Sequence, residues 1–283
     1  MRLRLALLLV LSALSQTIFA AVVQATLPNG IAVTADFRAG LAGKPTVILI
    51  HGFLQTREQA TVATLSGSLA DEGYTVLTPT LSLGVPNRDH SLSCDAIHNH
   101  SMDTDVAEIR FWVDWLKKRG SRQITLAGHS VGALQALIYA GTSWDPAVNQ
   151  LELISLSDPS SGMLSGARRD KIRQEVAQRL KAGETGIQTL PMSFCTRYTA
   201  STPAYWSYIR WTRDDLIKRI QTSPIKVSII LGGKDNLVNA SWIRQLKTTK
   251  AHVYVEKDAN HFFEGSSEFD LLDVTNTLLQ TKP

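Results

Sequence analysis

The chain has 283 residues, enough for one large α/β domain or two small ones, and its 44% hydrophobic and 19% charged content excludes a disordered chain. Its formal charge is +4; setting aside Arg2 and Arg4 leaves 27 basic residues against 25 acidic ones, or +2, which is no footprint for nucleic-acid binding.

Residues 1–20 read as a secretory signal. Arg2 and Arg4 form a short basic start, residues 5–14 an apolar run, and Ile18-Phe19-Ala20 a small residue for cleavage after Ala20. The apolar run is short for a membrane span of about 20 residues. The expectation is an exported protein, periplasmic or secreted, with no stable membrane span after cleavage.

Beyond the leader, residues 22–27 and 31–37, separated by Pro28-Asn29-Gly30, predict a β-hairpin. An apolar strand is expected over 46–50, a helix over 57–70 ending near Gly73, and a strand over 74–79. Residues 104–118 carry Val106, Ile109, Val113 and Leu116 at helical spacing, and Gly120 closes that helix. A buried strand over 123–127 leads to a helix over 131–140, with Val131, Leu134, Leu137 and Ile138 on one face. Further strands are expected over 151–156, 225–231 and 252–256, and helices over 241–248 and 269–279. Apolar strands alternating with helices imply a mostly parallel sheet covered on both faces. Residues 160–223 break the rhythm with a basic helix over 168–181 and the aromatics Phe194, Tyr198, Tyr205, Trp206, Tyr208 and Trp211. No strand is evident there, and the segment reads as a helical cap inserted over a site.

Between a strand and a helix stands Gly128-His129-Ser130-Val131-Gly132. A Gly-x-Ser-x-Gly in that context is a nucleophile elbow: the tight turn lifts the serine to a helix N-terminus, where free N–H groups favour negative charge. Three other landmarks also fall at predicted strand ends: Val47-Ile48-Leu49-Ile50-His51-Gly52-Phe53, Leu231-Gly232-Gly233-Lys234-Asp235, and Asp258-Ala259-Asn260-His261-Phe262-Phe263. In this order the four landmarks resemble an α/β-hydrolase, of serine esterase or lipase type, over nearly all of residues 21–283.

The resemblance implies Ser130 as nucleophile, His261 as base and then acid, and Asp235 as the carboxylate that orients the histidine. Asp158, in Ser157-Asp158-Pro159, is the rival acid, because it too follows a strand end. The oxyanion hole would use the main-chain N–H groups of Val131 and Phe53, with Leu54 the alternative to Phe53. His129 reads as elbow packing.

The 82–101 loop holds Arg88, Asp89, His90, Cys94, His98 and His100. Its Cys94-x-x-x-His98-x-His100 has zinc-ligand types, but the spacing matches no metal motif, so no metal is expected and the loop is read as pocket lining. Two cysteines in an exported chain permit one disulfide or two free thiols. The expectation is a Cys94–Cys195 bond tying the cap to the core.

The expected activity is hydrolysis of a carboxylic ester, with a small, partly apolar ester as substrate. A peptidase or amidase with the same triad and a non-catalytic binding protein on the same fold stay open. The 168–181 helix lacks a broad apolar face, which argues against a lipase that works at membranes. No Gly-x-Gly-x-x-Gly after a strand and no Walker sequence occurs, so no cofactor is expected.

Overall fold

The computed structural model describes residues 20–162 and 164–280. The expected signal segment lies outside the described residues apart from Ala20. The first hairpin forms as its turn sequence requires. Strands β1 (Ala21–Thr26) and β2 (Ala32–Arg38) pair antiparallel, and Gly30 takes a φ of 86° at the turn, which a side chain would resist. Then follow β3 (Thr46–Ile50), α1 (Ala60–Asp71), β4 (Thr75–Thr80), a two-residue β5 (Ile97–His98) and α2 (Met102–Lys117). Ser101 starts α2 with a capping box shared with Thr104. The elbow strand β6 (Ile124–His129), α3 (Val131–Thr142) and β7 (Val148–Ile154) come next, and β10 (Lys226–Gly232), α7 (Ala240–Leu246), β11 (His252–Glu256) and α8 (Ser267–Gln280) close the chain.

The main sheet has eight strands in the order β1-β2-β4-β3-β6-β7-β10-β11. Strand β2 is antiparallel to β1 and β4, and every other neighbour pair is parallel. All five residues of β3 are buried, so its alternating side chains serve two cores. Ile48 and Ile50 face the larger core with residues of α2 and α3, while Val47 and Leu49 face Val62, Leu65 and Leu69 of α1 and Leu271 and Leu278 of α8. The fold is that of an α/β-hydrolase: a mostly parallel sheet with helices on both faces.

Between β7 and β10 the chain leaves the sheet. It forms α4 (Gly166–Lys181), β8 (Ile187–Met192), β9 (Cys195–Ser201), α5 (Thr202–Ile209) and α6 (Arg213–Thr222). Contrary to the expectation of a strandless insertion, this stretch contains two strands. Strands β8 and β9 form an antiparallel hairpin, and β5 adds to β9 in parallel, giving a second, three-stranded sheet. In β9 the buried residues alternate as Cys195, Tyr198 and Ala200 in a 3-then-2 rhythm, and in β8 Pro191 and polar residues dilute the pattern. The period-2 signal was too weak to stand out from the aromatic cluster around it. Tyr198, Tyr205, Tyr208 and Trp211 join the core that contains α2 and α3, so this segment shares its apolar interior with the sheet.

Cys94 and Cys195 form a disulfide with a sequence separation of 101, which links the 82–101 loop to β9. Among the described residues no helix is long and apolar enough to cross a membrane.

Candidate active site

The elbow is built from close backbone contacts that only glycine allows. A Cβ on Gly128 would come within 2.3 Å of the Gly132 carbonyl oxygen, and one on Gly132 within 2.5 Å of the Ile50 carbonyl oxygen. Strand β6 therefore turns into α3 against the end of β3. Ser130 carries the cost of the turn, with φ 58° and ψ −118°, a strained left-handed conformation for a residue with a side chain. Its N–H donates to the Ile154 carbonyl at 2.9 Å, which anchors the turn to β7.

A second pair of glycines assembles the far side. A Cβ on Gly232 would lie 2.5 Å from the Ala259 carbonyl oxygen, and one on Gly233 2.5 Å from that of Lys257. The β10 end thus lies directly on the loop after β11, and the Lys234 N–H donates to the Ala259 carbonyl at 2.9 Å. This contact brings Asp235 to His261: Nδ1 lies 2.7 Å from Asp235 Oδ2, and Nε2 lies 2.9 Å from Ser130 Oγ. Asp235 Oδ1 accepts from the Leu237 N–H at 2.8 Å, which fixes the carboxylate plane. Both Asp235 and His261 are buried.

His129, inside the elbow, does more than pack. Its Nε2 donates to the His261 carbonyl at 2.8 Å, and Ser155 Oγ donates to the same oxygen at 2.8 Å. Gln59 Nε2 donates to its Nδ1 at 3.3 Å. Burial, together with the neighbouring His261, lowers its pKa to about 4, so it stays neutral and keeps this arrangement at neutral pH.

Asp158 is engaged elsewhere. Arg213 meets it with two guanidinium nitrogens, Asn239 Nδ2 donates to it at 2.6 Å and Ser161 Oγ at 2.9 Å. Burial pushes against its ionisation, but these donors, Arg213 foremost, outweigh it and hold the carboxyl below its usual range. The ion pair ties α6 to the loop after β7.

Phe53 sits beside the elbow because Gly52 backs onto it: a Cβ there would be 3.6 Å from that of Ser130. Among the described residues no acceptor pairs with the Phe53 N–H, and the Val131 N–H opens α3, where the helix itself offers it no partner. The Phe53 ring is held edge-on by Phe194 and Tyr208 and lies 5.6 Å from Tyr198, so the β8–β9 turn leans on the segment carrying this N–H.

The 82–101 loop is not where the sequence reading put it. A cavity of about 410 Å³ opens over Ser130 and His261, and its walls come from the 52–59 segment, the elbow, the β7–β10 segment and residues 236–237 and 261–262, with none from 82–101. The loop packs behind residues 51–55 instead. Arg88, almost fully buried, donates to the carbonyls of Leu81, His90 and Gln55 and to His51 Nε2. A charged side chain inside a loop reads as solvent-exposed, so composition gave no sign of this. His51 also accepts from the Leu81 N–H at 3.0 Å, and burial with Arg88 beside it lowers its pKa to about 3. Cys94 is oxidised, and His100 bonds Asp105, Tyr198 and Tyr208.

The profile of the alpha/beta hydrolase family matches residues 47–271, and the chain belongs to that family. No curated protein matches the sequence. Among solved structures, the alpha/beta hydrolase GrgF from Penicillium sp. sh18 is similar with a TM-score of 0.69 at 15% identity, covering 93% of this chain and 98% of that one. Est1E from Butyrivibrio proteoclasticus is similar with a TM-score of 0.61 at 17% identity, covering 92% and 98%. The Pyrococcus furiosus esterase Pf2001 is similar with a TM-score of 0.60 at 16% identity, covering 93% and 90%.

Proposed function

We propose that the protein is an exported serine hydrolase that cleaves a carboxylic ester through Ser130, His261 and Asp235. The observation that carries this reading is the pair of contacts on His261, 2.9 Å to Ser130 Oγ and 2.7 Å to Asp235 Oδ2, at the wall of one cavity. In this reading Ser130 Oγ attacks the ester carbonyl carbon while its proton passes to His261 Nε2. The imidazolium that forms is stabilised through Nδ1–H by Asp235. Negative charge on the carbonyl oxygen falls on the N–H groups of Val131 and Phe53. His261 then protonates the departing alcohol, and water, deprotonated by the same nitrogen, releases the acid from Ser130.

The β7–β10 segment acts as a cap in this scheme, because its residues line the same cavity as Ser130. Largely apolar walls, including Leu134, Leu156 and Trp211, favour a partly apolar ester. A structural neighbour named as an esterase, and another, Est1E, with ferulic acid bound, favour ester chemistry. A disulfide suits an oxidising compartment and with it export.

The test is turnover of nitrophenyl esters of graded acyl length by the purified protein and by Ser130→Ala, with a fluorophosphonate probe in the same samples. Turnover and labelling are expected for the wild type, and Ser130→Ala should lose more than about 10³-fold in kcat and all labelling. Turnover that survives in Ser130→Ala would remove the serine from the mechanism.

A further inference from the structure

Arg169 stands out on the cavity wall. It lies in α4, is 9% exposed, and shares the cavity with Ser130 and His261. Its Nη2 donates to the carbonyls of Ile209 and Trp211, each at 2.8 Å. These carbonyls lie at the end of α5 and just beyond it, where the helix dipole is negative, which explains how a guanidinium is tolerated there. The rest of the group is unused. Nε and Nη1 have no acceptor among the described residues, and neither is among the buried nitrogens sealed off without a partner. Among the described residues no carboxylate lies within ion-pair range of Arg169; Asp158, on the same wall, is already held by Arg213. Asp170 and Asp158 act on Arg169 only through space, and Arg173 opposes them.

The surroundings sharpen the point. Ile209 and Trp211, whose carbonyls Arg169 holds, line the same cavity with the apolar Leu164 and Leu216. A cation without a counter-ion among apolar side chains is costly, and an anion that arrives with a ligand relieves that cost. We propose that Arg169 is a substrate-binding residue, that its free N–H groups form an anion subsite in the cavity, and that the substrate is an ester bearing a carboxylate. This rests on the reading of the cavity as an ester-hydrolysing site. The carboxylate belongs to the acyl or to the alcohol part; the chemistry of recognition is the same.

The experiment compares kcat/KM for matched pairs of esters in the wild type and in Arg169→Met, which keeps chain length and removes the charge. One pair places the anion on the acyl side: the 4-nitrophenyl hemiester of adipate against 4-nitrophenyl heptanoate. The other places it on the alcohol side: 4-carboxyphenyl butyrate against phenyl butyrate. In at least one pair the anionic-to-neutral ratio should fall about 10- to 100-fold in Arg169→Met, the range for a hydrogen bond to a charged group. Because it is a ratio, it is insensitive to loss of folded protein. Arg169→Lys, which keeps the charge, should retain part of the preference. An unchanged ratio in both pairs would make Arg169 a clasp for the end of α5 and nothing more. A second arm does not need turnover: binding of hexanoate and of hexanamide to Ser130→Ala, with and without Arg169→Met. Tenfold weakening confined to hexanoate supports the subsite even if no ester is cleaved and Ser130 is not labelled, and equal weakening of both ligands overturns it.

Discussion

Asp235 and Asp158 each follow a strand end, and their partners set them apart. Asp235 has one oxygen on His261 and the other on a backbone N–H, whereas Asp158 is wrapped by Arg213, Asn239 and Ser161. The corresponding amides should therefore behave differently. Asp235→Asn is expected to cut kcat by about 10³- to 10⁴-fold with little change in stability, because it disfavours the histidine tautomer that accepts the serine proton. Asp158→Asn should lower kcat by less than about tenfold and instead cost about 2–3 kcal/mol of stability, the low side for a buried ion pair since Arg213 can regain water. Steady-state kinetics beside urea unfolding of the two variants checks the assignment, and a reversed pattern would exchange their roles. His129 shows how much one elbow residue can hold. Its position between the two glycines was visible in the sequence, but its bond to the His261 carbonyl, 132 residues away in the chain, was not.

At the scale of elements, the site depends on loops that meet only because glycines let them. The β6–α3 turn and the β10 and β11 ends each contain a contact that a Cβ would block. The β8–β9 hairpin is held differently, by the Cys94–Cys195 bond and by Phe194 against Phe53, with ring centroids 5.6 Å apart. Replacing both cysteines by serine releases a loop of about 100 residues, and stability should fall by up to about 4–5 kcal/mol in the chain-entropy picture. The hairpin turn also lines the cavity through Met192, Ser193 and Phe194. The double variant is therefore expected to raise KM for nitrophenyl esters more than it lowers kcat. Thermal unfolding and steady-state kinetics with and without reductant test this, and a stability loss without any KM effect would separate the disulfide from the cavity. These two strands were hard to read because each buries only a few residues, and those at irregular spacing.

For the whole molecule, buried ionisable groups pull stability in opposite directions with pH. Glu152, in the middle of β7 and fully buried, has its pKa raised to about 8 by burial, against the opposing effects of Gln150 and Lys226. In the unfolded chain it ionises near 4.3. Between these values the folded state holds a proton that the unfolded state has lost, so stability falls as pH rises from about 4.3 to 8. His51 and His129, with pKa values lowered to about 3 and about 4, work the other way. The unfolded chain takes up their protons first, so stability is lost as pH falls from about 6.5 toward 4. Above pH 6.5 the histidine contribution is flat and the Glu152 contribution continues to decline. Glu152→Gln removes that decline, so its melting temperature relative to the wild type should climb by more than about 3 °C between pH 5 and pH 9. Parallel melting curves across that range would show that Glu152 is ionised in the folded protein.

What was legible in the chain was local. The apolar strand at 46–50, the helical spacing of 104–118 and the Gly128-His129-Ser130-Val131-Gly132 turn depend on residues a few positions apart, and such neighbours impose their pattern wherever the segment lies. The serine, histidine and aspartate candidates could be named because each sits in a strand-end landmark that resembles those of α/β-hydrolases, in the same order. Their juxtaposition could not be seen there, nor could the withdrawal of the 82–101 loop from the cavity, the commitment of Asp158 to Arg213, or the half-used guanidinium of Arg169. Each of these is a choice of partner among residues far apart in the chain. Which charged group is buried, and against which acceptor, is set by the packing of the sheet, the helices and the β7–β10 segment, because desolvation and hydrogen-bond geometry exist only once those surfaces have met.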